Sequence, residues 1–359
     1  MEKMRIAFFN WRDIKNPMAG GAEVYNHELL KRLTDKGHKV TIFTSLFPGA
    51  EEKEVIDGIE HIRYGGKFGI YLKAYSCYKK YIEGKYDVII EGINGMPFFT
   101  RFFAREKVVP LVYQLTRQNW YSGLPFPAAF AGYHMEDFIL GSYRKNPAIT
   151  ISESTKSDLE KLGFSNIGLV YAAGDVKPPE RIHKEKKKTI AYIGRLTKSK
   201  RVDHVLIASE KIPDAEVWII GDGPERDELK KYAKELGVEA EFLGKVNQKK
   251  KAELLSRAHL MLFPAVHEGW GITVLEANAC GTPVIGYDVH GLRDSIENGV
   301  NGYLVKDGDV NAMAECAVKL LEDKKMLEKL SADAVEYSKN FSWDKSADGL
   351  LEFLEKVIK

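Results

Sequence analysis

Short apolar runs rich in Val, Ile, Tyr and Phe alternate with longer helical patterns along almost the whole chain, and no other feature constrains the fold as much. RIAFF (5–9) is followed by a helical stretch from Ala22 to Asp35. VTIFTS (40–45), DVIIEG (87–92), VPLVYQL (109–115) and AITIS (148–152) repeat the motif. The runs are continuous rather than alternating, as expected of parallel strands buried on both faces. Strands joined by helices in this way form βαβ units. The rhythm stops at 172–188, AAGDVKPPERIHKEKKK, where paired prolines and a basic run mark a linker. The KEKKK stretch also fits a phosphate or lipid patch, but a solvated linker is the plainer reading. The strand runs resume as TIAYI (189–193), EVWII (216–220), EAEFLG (239–244), HLMLFP (259–264), TPVIGY (282–287) and GYLV (302–305), with helical patterns at 225–236, 249–257 and 273–280. The expected architecture is α/β: two Rossmann-like, doubly wound parallel-sheet domains, 1–174 and 175–340. They would face a cleft lined by strand carboxyl ends, with an amphipathic tail, 341–359, packed on a domain surface.

Length and charge narrow the function classes. The 359 residues suit two domains at ~100–200 residues each. Lys and Arg number 53 against 51 Asp and Glu, so the chain as a whole has no pull towards nucleic acid or an anionic membrane. No apolar run approaches the ~18 residues needed to span a bilayer. The opening MEKMRIAFFNWRD reads as a buried strand, not a signal peptide. Cys77, Cys280 and Cys316 are too widely spaced for a zinc ribbon or a disulfide framework, so a reduced, cytoplasmic setting is expected.

Chemistry concentrates at three places. In FPAVHEGWGITVLEANACGTPVI (263–285) a strand ends in a turn holding His267, Glu268, Gly269, Trp270 and Gly271, and a helix begins near Ile272. The amides of Gly271, Ile272 and Thr273 would lie at that helix N-terminus, where phosphate binds. Glu276 follows Glu268 by eight positions. A carboxylate beside an anion site is costly unless it contacts something else, such as a ligand hydroxyl. GRLTKSKRVD (194–203) follows another strand, with Gly194 permitting the turn and Arg195 and Lys200 projecting from it. A guanidinium and an ammonium suit a diphosphate, and they equally suit an ordinary surface loop. Lys198 and Arg201 read as solvated. Gly20-Gly21-Ala22-Glu23 opens the first helix and permits close backbone approach to an anion. It is not G-x-G-x-x-G, and NAD is poorly supported.

Together these segments resemble the retaining, nucleotide-sugar-dependent glycosyltransferases of the GT-B fold, specifically glycosyltransferase family 4 (glycosyl transferases group 1). The resemblance runs through GGAE, GRL…K, GDGP (221–224), FLGKV (242–246), the Glu-x7-Glu segment and the closing FSWDKSADGLLEFLEKV (341–357). It implies that Arg195 and Lys200 hold the donor diphosphate, Glu268 the transferred sugar and Glu276 the ribose. Gly194 belongs to the same loop. The turn Gly271, Ile272 and Thr273 would take phosphate, Val246 would lie near the base, and Gly21 would close over the diphosphate. The tail would cross back to the first domain. The implied reaction moves a sugar from a nucleotide-diphosphate sugar to a hydroxyl acceptor, with no metal and no resident cofactor; UDP, GDP and ADP donors remain alternatives.

One position departs from the family pattern. A first-domain His is common in a V-H-Q-L segment, but here LVYQLTRQNW (111–120) places Tyr113 there, with Gln114, Arg117 and Asn119 nearby. Tyr113 is either a sugar contact or a buried core residue. His267-Glu268 lacks the second His of a zinc motif. Asp309 in D-G-D (307–309) reads as a helix N-cap, and His290 as a spacer. FFTRFFAREK (98–107) and GLPFPAAFAGYHMEDFIL (123–140) are rich in aromatics. Core helices are the ordinary explanation; a lipid-linked acceptor, with contact at the inner face of a membrane, is the other. The rival functions are a GT-B epimerase or phosphorylase, and a two-domain ligand-binding protein without chemistry.

Overall fold

The computed structural model describes residues 3–117, 120–121 and 125–359. By internal contacts the chain divides into two units, Met1–Ala172 with Trp343–Lys359, and Ala173–Ser342.

The first unit is built on an eight-stranded sheet of β1 (Arg5–Phe9), β2 (Lys39–Thr44), β3 (Lys53–Ile56), β4 (Ile59–Arg63), β5 (Val88–Ile93), β6 (Lys107–Val112), β7 (Ala148–Thr150) and β8 (Ile167–Leu169), in the order β3-β4-β2-β1-β5-β6-β7-β8. All neighbours run parallel except β3, which pairs antiparallel with β4 at the edge. Phe9 meets Phe43 and Phe98 inside, each pair of rings 5.4 Å apart. Helix α1 (Gly21–Asp35) buries Tyr25, Leu29, Leu30 and Leu33. Helices α2 (Phe126–Gly141) and α3 (Glu153–Lys161) follow β6 and β7, and Ser152 caps α3 by accepting from the Thr155 amide (3.3 Å).

The β3–β4 hairpin is absent from the sequence reading. Its turn is Asp57-Gly58, both at positive φ (47° and 79°), the residue pair that two-residue hairpins favour. Polar side chains mask β4: His61 and Arg63 are buried, and Arg63 Nε donates to Asp13 Oδ2 (2.6 Å). Burial pushes the Asp13 carboxyl up, but the nearby His61 ring and the Arg63 hydrogen bond and charge outweigh it and hold it well below the usual range.

The second unit contains β9 (Thr189–Ile193), β10 (Glu216–Ile220), β11 (Ala240–Gly244), β12 (Leu260–Phe263), β13 (Val284–Tyr287) and β14 (Gly302–Val305), all parallel in the order β11-β10-β9-β12-β13-β14. Helices α4 (Val202–Glu210), α5 (Arg226–Glu235), α6 (Gln248–Arg257), α7 (Ile272–Ala279), α8 (Val310–Glu322) and α9 (Lys324–Ser338) cover it. The strand order reverses between β9 and β12, and the loops leaving the carboxyl ends of these two strands meet at this switch point. Asp309 caps α8 by accepting from the Ala312 amide (2.9 Å), as its sequence context suggests.

The connecting segment is less solvated than its composition suggests. Lys184 is half-buried, and its Nζ donates to the carbonyls of Ala258 and Gly281 (both 2.7 Å) and to Thr282 Oγ1 (3.0 Å). An aliphatic stem inside and three oxygens at its tip hold the segment against the second unit. The chain ends in α10 (Trp343–Ile358), part of the first unit. Trp343 packs edge-on against Tyr25 (5.9 Å), Arg32 and Lys36 of α1 pair with Asp344 and Asp348, and the Phe353 ring lies over Gly168.

Candidate functional site

Within the second unit, the loops after β9 and β12 bring Lys200 and Glu268 together, with Arg195 on the same loop as Lys200. After β9 the chain runs through Gly194, Arg195 and Leu196, makes a single turn over Lys198–Lys200, and enters α4 through Arg201 at φ 47°. After β12, the Val266 amide donates to the Ser199 carbonyl (2.9 Å), which ties the two loops. The Lys200 ammonium then pairs with Glu268 Oε1, each side chain being mostly buried, and it also lies 5.7 Å from the centre of the Phe263 ring. Tyr192 sits beneath both loops: its hydroxyl donates to the Arg195 carbonyl (3.1 Å), and burial, reinforced by the Glu268 charge and opposed by Arg195, raises its pKa. The Arg195 side chain is exposed, with no ion pair among the described residues.

Steric demands explain the glycines. A Cβ on Gly194 would stand 2.6 Å from the Tyr192 hydroxyl oxygen. The GDGP turn nests against the same loop: a Cβ on Gly221 would fall 1.9 Å from the Gly194 carbonyl oxygen, and one on Gly223 2.2 Å from that of Leu196. Hydrogen bonds from the Gly194 amide to Ile220 (3.0 Å) and from the Leu196 amide to Asp222 (3.0 Å) fix the contact. Gly271 at φ 89° turns the chain into α7, and the Val274 amide returns to its carbonyl (2.8 Å). That leaves the amides of Ile272 and Thr273 as first-turn donors with no intrahelical acceptor. An oxygen anion of diphosphate type suits this end of α7.

Glu276, one turn into α7, is buried. Its Oε1 accepts from Lys251 Nζ (2.6 Å), and its Oε2 has no hydrogen-bond partner. Burial raises its pKa, while Lys251 works against the rise. A buried carboxylate oxygen without a donor can receive a ligand hydroxyl at small desolvation cost. Lys251 was missed in sequence because it ends a KKK run; its signal was spacing, since positions 251, 254 and 255 share the inward face of α6. Val246 lies just beyond β11, half-buried against the core.

Several expectations need correction. Arg201 is not a solvated cation: it pairs with Asp307 and lies 5.7 Å from the Tyr287 ring. His290 does more than space the loop. Its ring stacks on His267 (centroids 4.7 Å apart) and its carbonyl accepts the Glu268 amide (3.1 Å), while Gly291 at φ 80° passes so close that a Cβ would lie 2.1 Å from the Glu268 carbonyl oxygen. In the first unit, Gly21 opens α1, and the adjoining Gly20 amide donates to Glu23 Oε2 (2.7 Å) as a helix cap, which says nothing against Gly21 itself. Tyr113 is 4% exposed and its hydroxyl donates to Asn26 Oδ1 (2.7 Å), which fits the core reading rather than the sugar contact. Arg117 pairs with Asp137 (2.6 Å), and the Gln114 side chain is half-buried. Asn119 lies outside the described residues.

This fold, with its twin-cation loop and carboxylate turn, defines a GT-B glycosyltransferase, and comparison with known proteins gives the family. The sequence profile of glycosyl transferases group 1 matches residues 175–354, and that of glycosyltransferase family 4 matches residues 19–176; the chain belongs to this family. It is similar to the N-acetyl-alpha-D-glucosaminyl L-malate synthase of Bacillus anthracis, 27% identical over 337 residues that cover 86% of this chain and 87% of that one. It is 34% identical over 182 residues to the D-inositol 3-phosphate glycosyltransferase of Mycolicibacterium paratuberculosis, covering 48% of this chain and 41% of that protein. Sucrose-phosphate synthase from Thermosynechococcus elongatus superposes with a TM-score of 0.86 at 20% identity, over 99% of both chains. The Anabaena protein HepE, in complex with UDP and glucose, superposes with a TM-score of 0.75 at 17% identity, over 98% of this chain and all of that one. The protein is therefore a nucleotide-sugar-dependent glycosyltransferase of a family whose members are retaining hexosyltransferases. Among the described residues, no helix is long and apolar enough to cross a membrane.

Proposed function

We propose that the protein transfers a hexosyl group from a nucleotide-diphosphate sugar, with UDP as the carrier, to a hydroxyl acceptor with retention at the anomeric carbon. The observation that carries this is the Lys200–Glu268 pair at the turn that leads into α7, whose first-turn amides have no intrahelical acceptor. As the sugar–phosphate bond breaks, negative charge grows on the leaving diphosphate. Arg195, Lys200 and the amides of Ile272 and Thr273 stabilise that charge more than they stabilise the intact donor, which lowers the barrier. A diphosphate drawn to Lys200 competes with Glu268 for the ammonium, and the freed carboxylate accepts from the sugar hydroxyls. Glu276 Oε2 accepts from the ribose, and Val246 flanks the base. The anomeric carbon passes through an oxocarbenium-like state. The acceptor hydroxyl attacks from the leaving-group face and gives its proton to a diphosphate oxygen, so no protein nucleophile is required. Side-chain cations supply the charge stabilisation in this scheme, with no metal ion.

HepE's complex with UDP and glucose supports uracil as the base. The names of the two relatives point to L-malate and D-inositol 3-phosphate, which supports a hydroxyl as the attacking group. NMR of the products from UDP-, GDP- and ADP-hexoses with hydroxyl acceptors tests the reading. The expected result is a glycoside that keeps the donor's anomeric configuration. Inversion, or epimerised nucleotide sugar formed without acceptor, would contradict it.

A further inference from the structure

Helix α6 carries a lysine where its own pattern calls for an apolar side chain. Asn247 caps the helix by accepting from the Lys250 amide (2.8 Å), which sets its phase. Leu254 and Leu255 follow Lys251 by three and four positions on the face that packs inward, and both are buried. The other lysines of the run behave differently. Lys249 is exposed, and Lys250 pairs with Glu253 at the surface (2.7 Å). Lys251 instead donates to Glu276 Oε1 of α7 (2.6 Å), and the two side chains are 16% and 3% exposed.

Such a pair is a poor device for stability. Taking both ions out of water is costly, and two apolar side chains of similar volume would join the helices at least as well. It is also incomplete as a structural pair. Lys251 satisfies one carboxylate oxygen, while Glu276 Oε2 is buried with no hydrogen-bond partner among the described residues. The surroundings favour the neutral carboxyl, through burial first and the Asp175 carboxylate after it. The charge and hydrogen bond of Lys251 are the main opposition, with help from the Asp175 backbone. That side of α7 is closed by the connecting segment: a Cβ on Gly174 would lie 3.3 Å from the Glu276 amide nitrogen, and Asp175 is itself bonded to Gln248 of α6. Cys280, one turn further along α7, is the other titratable group at the pair, and it feels Glu276, Lys184 and Lys251 alike.

We propose that Lys251 is a positioning residue of the nucleotide site: it holds Glu276 charged, occupies Oε1 and so presents Oε2 to the ribose hydroxyls. This deepens the transfer reading above and rests on it. Lys251 acts through Glu276, not on the reacting atoms. A charged oxygen accepts a hydroxyl more strongly than a neutral one, and a buried oxygen without a donor is costly until the ligand supplies one. A nucleotide that lacks the hydroxyls leaves that cost in place, so the pair makes the site select ribonucleotide donors.

Titration calorimetry with UDP and with 2′,3′-dideoxyuridine diphosphate, which lacks both ribose hydroxyls, tests it, with thermal melts as the folding control. The wild type is expected to bind UDP the more tightly. Lys251→Met is expected to weaken UDP by about tenfold and to leave the dideoxy compound unchanged, so that the preference is lost. Lys251→Gln keeps a hydrogen-bond donor without the charge and serves where the methionine variant fails to fold; the same loss is expected of it. Repeating the titrations between about pH 6 and 9 gives a second readout. Without the ammonium, burial keeps a proton on Glu276. The variant-to-wild-type ratio of UDP dissociation constants is therefore expected to be largest at the acid end and to shrink as pH rises, and the ratio cancels the titration of the nucleotide's own phosphate. A weakening that is equal for the two nucleotides, or flat with pH, assigns Lys251 to packing and overturns the proposal. Unchanged UDP binding in both variants overturns it too, as does a wild type that binds the two nucleotides alike. A wild type that binds no UDP overturns the donor-site reading itself.

Discussion

A hydroxyl that already donates to a buried acceptor has little left to offer a substrate. Tyr113 is in that position: its proton goes to Asn26, its ring meets Tyr25 edge-on at 6.1 Å, and burial raises its pKa. Tyr113→Phe is expected to cost about 1 kcal/mol of stability by urea unfolding and to leave kcat unchanged. A large fall in kcat would return the residue to the reaction. From sequence the two roles were indistinguishable, because a Tyr after a strand suits either. That Arg195 and Lys200 share the loop after β9, and that Glu268 and Glu276 lie in the turn and helix after β12, was legible from strand and turn context, while the roles expected of them came from the family resemblance. Lys251 and Tyr192 were not legible, since a buried cation at the end of a lysine run and a tyrosine within a strand carry no local signal of the groups they touch. Those partners lie 25 residues away for Lys251 and 76 for the Glu268 charge near Tyr192, so only the folded chain shows them.

At the scale of elements, the continuous apolar runs marked most strands correctly because both faces of the two sheets are covered. The rule failed where that condition failed. At the sheet edge β3 alternates exposed and half-buried side chains, and β4 hides His61 and Arg63, so neither looks like a buried parallel strand. The Asp57-Gly58 pair was the available signal for their hairpin. Loop elements carry the strictest demands. Gly221→Ala would drive a methyl group into the Gly194 carbonyl oxygen, and both loops would have to separate. The expected cost is a few kcal/mol, read as a clear fall in Tm. A rise in KM for the donor should accompany it, because Arg195 and Lys200 ride on the displaced loop. An unchanged Tm together with an unchanged KM would show that the two turns are not coupled.

For the whole molecule, the connecting segment gives stability a pH dependence. Burial draws the Lys184 ammonium down from 10.5 to about 7, against a smaller opposing pull from Cys280, with His259 and Glu185 also close by. In the unfolded chain the lysine keeps its ordinary pKa. Between about 7 and 10.5 the unfolded chain therefore holds a proton that the folded chain has released. The free energy of unfolding rises with pH across that window, and the penalty is complete below it. Denaturant melts from pH 6 to 10 are expected to show this rise, and Lys184→Met is expected to flatten it; equal slopes in both proteins would contradict it. The two-sheet architecture was legible from the strand rhythm, but this half-buried lysine was not, because a basic run with prolines looks solvated until its acceptors are known.

The central claim is that the β9 and β12 loops of the second unit grip a nucleoside diphosphate. Titration calorimetry of UDP against the wild-type protein, Arg195→Ala and Lys200→Ala measures it most directly. The expected result is wild-type binding that each substitution weakens by about ten- to a hundredfold, the cost of losing a charge-assisted contact. Equal affinity in all three proteins, or a wild type that binds none of UDP, GDP and ADP, would contradict it.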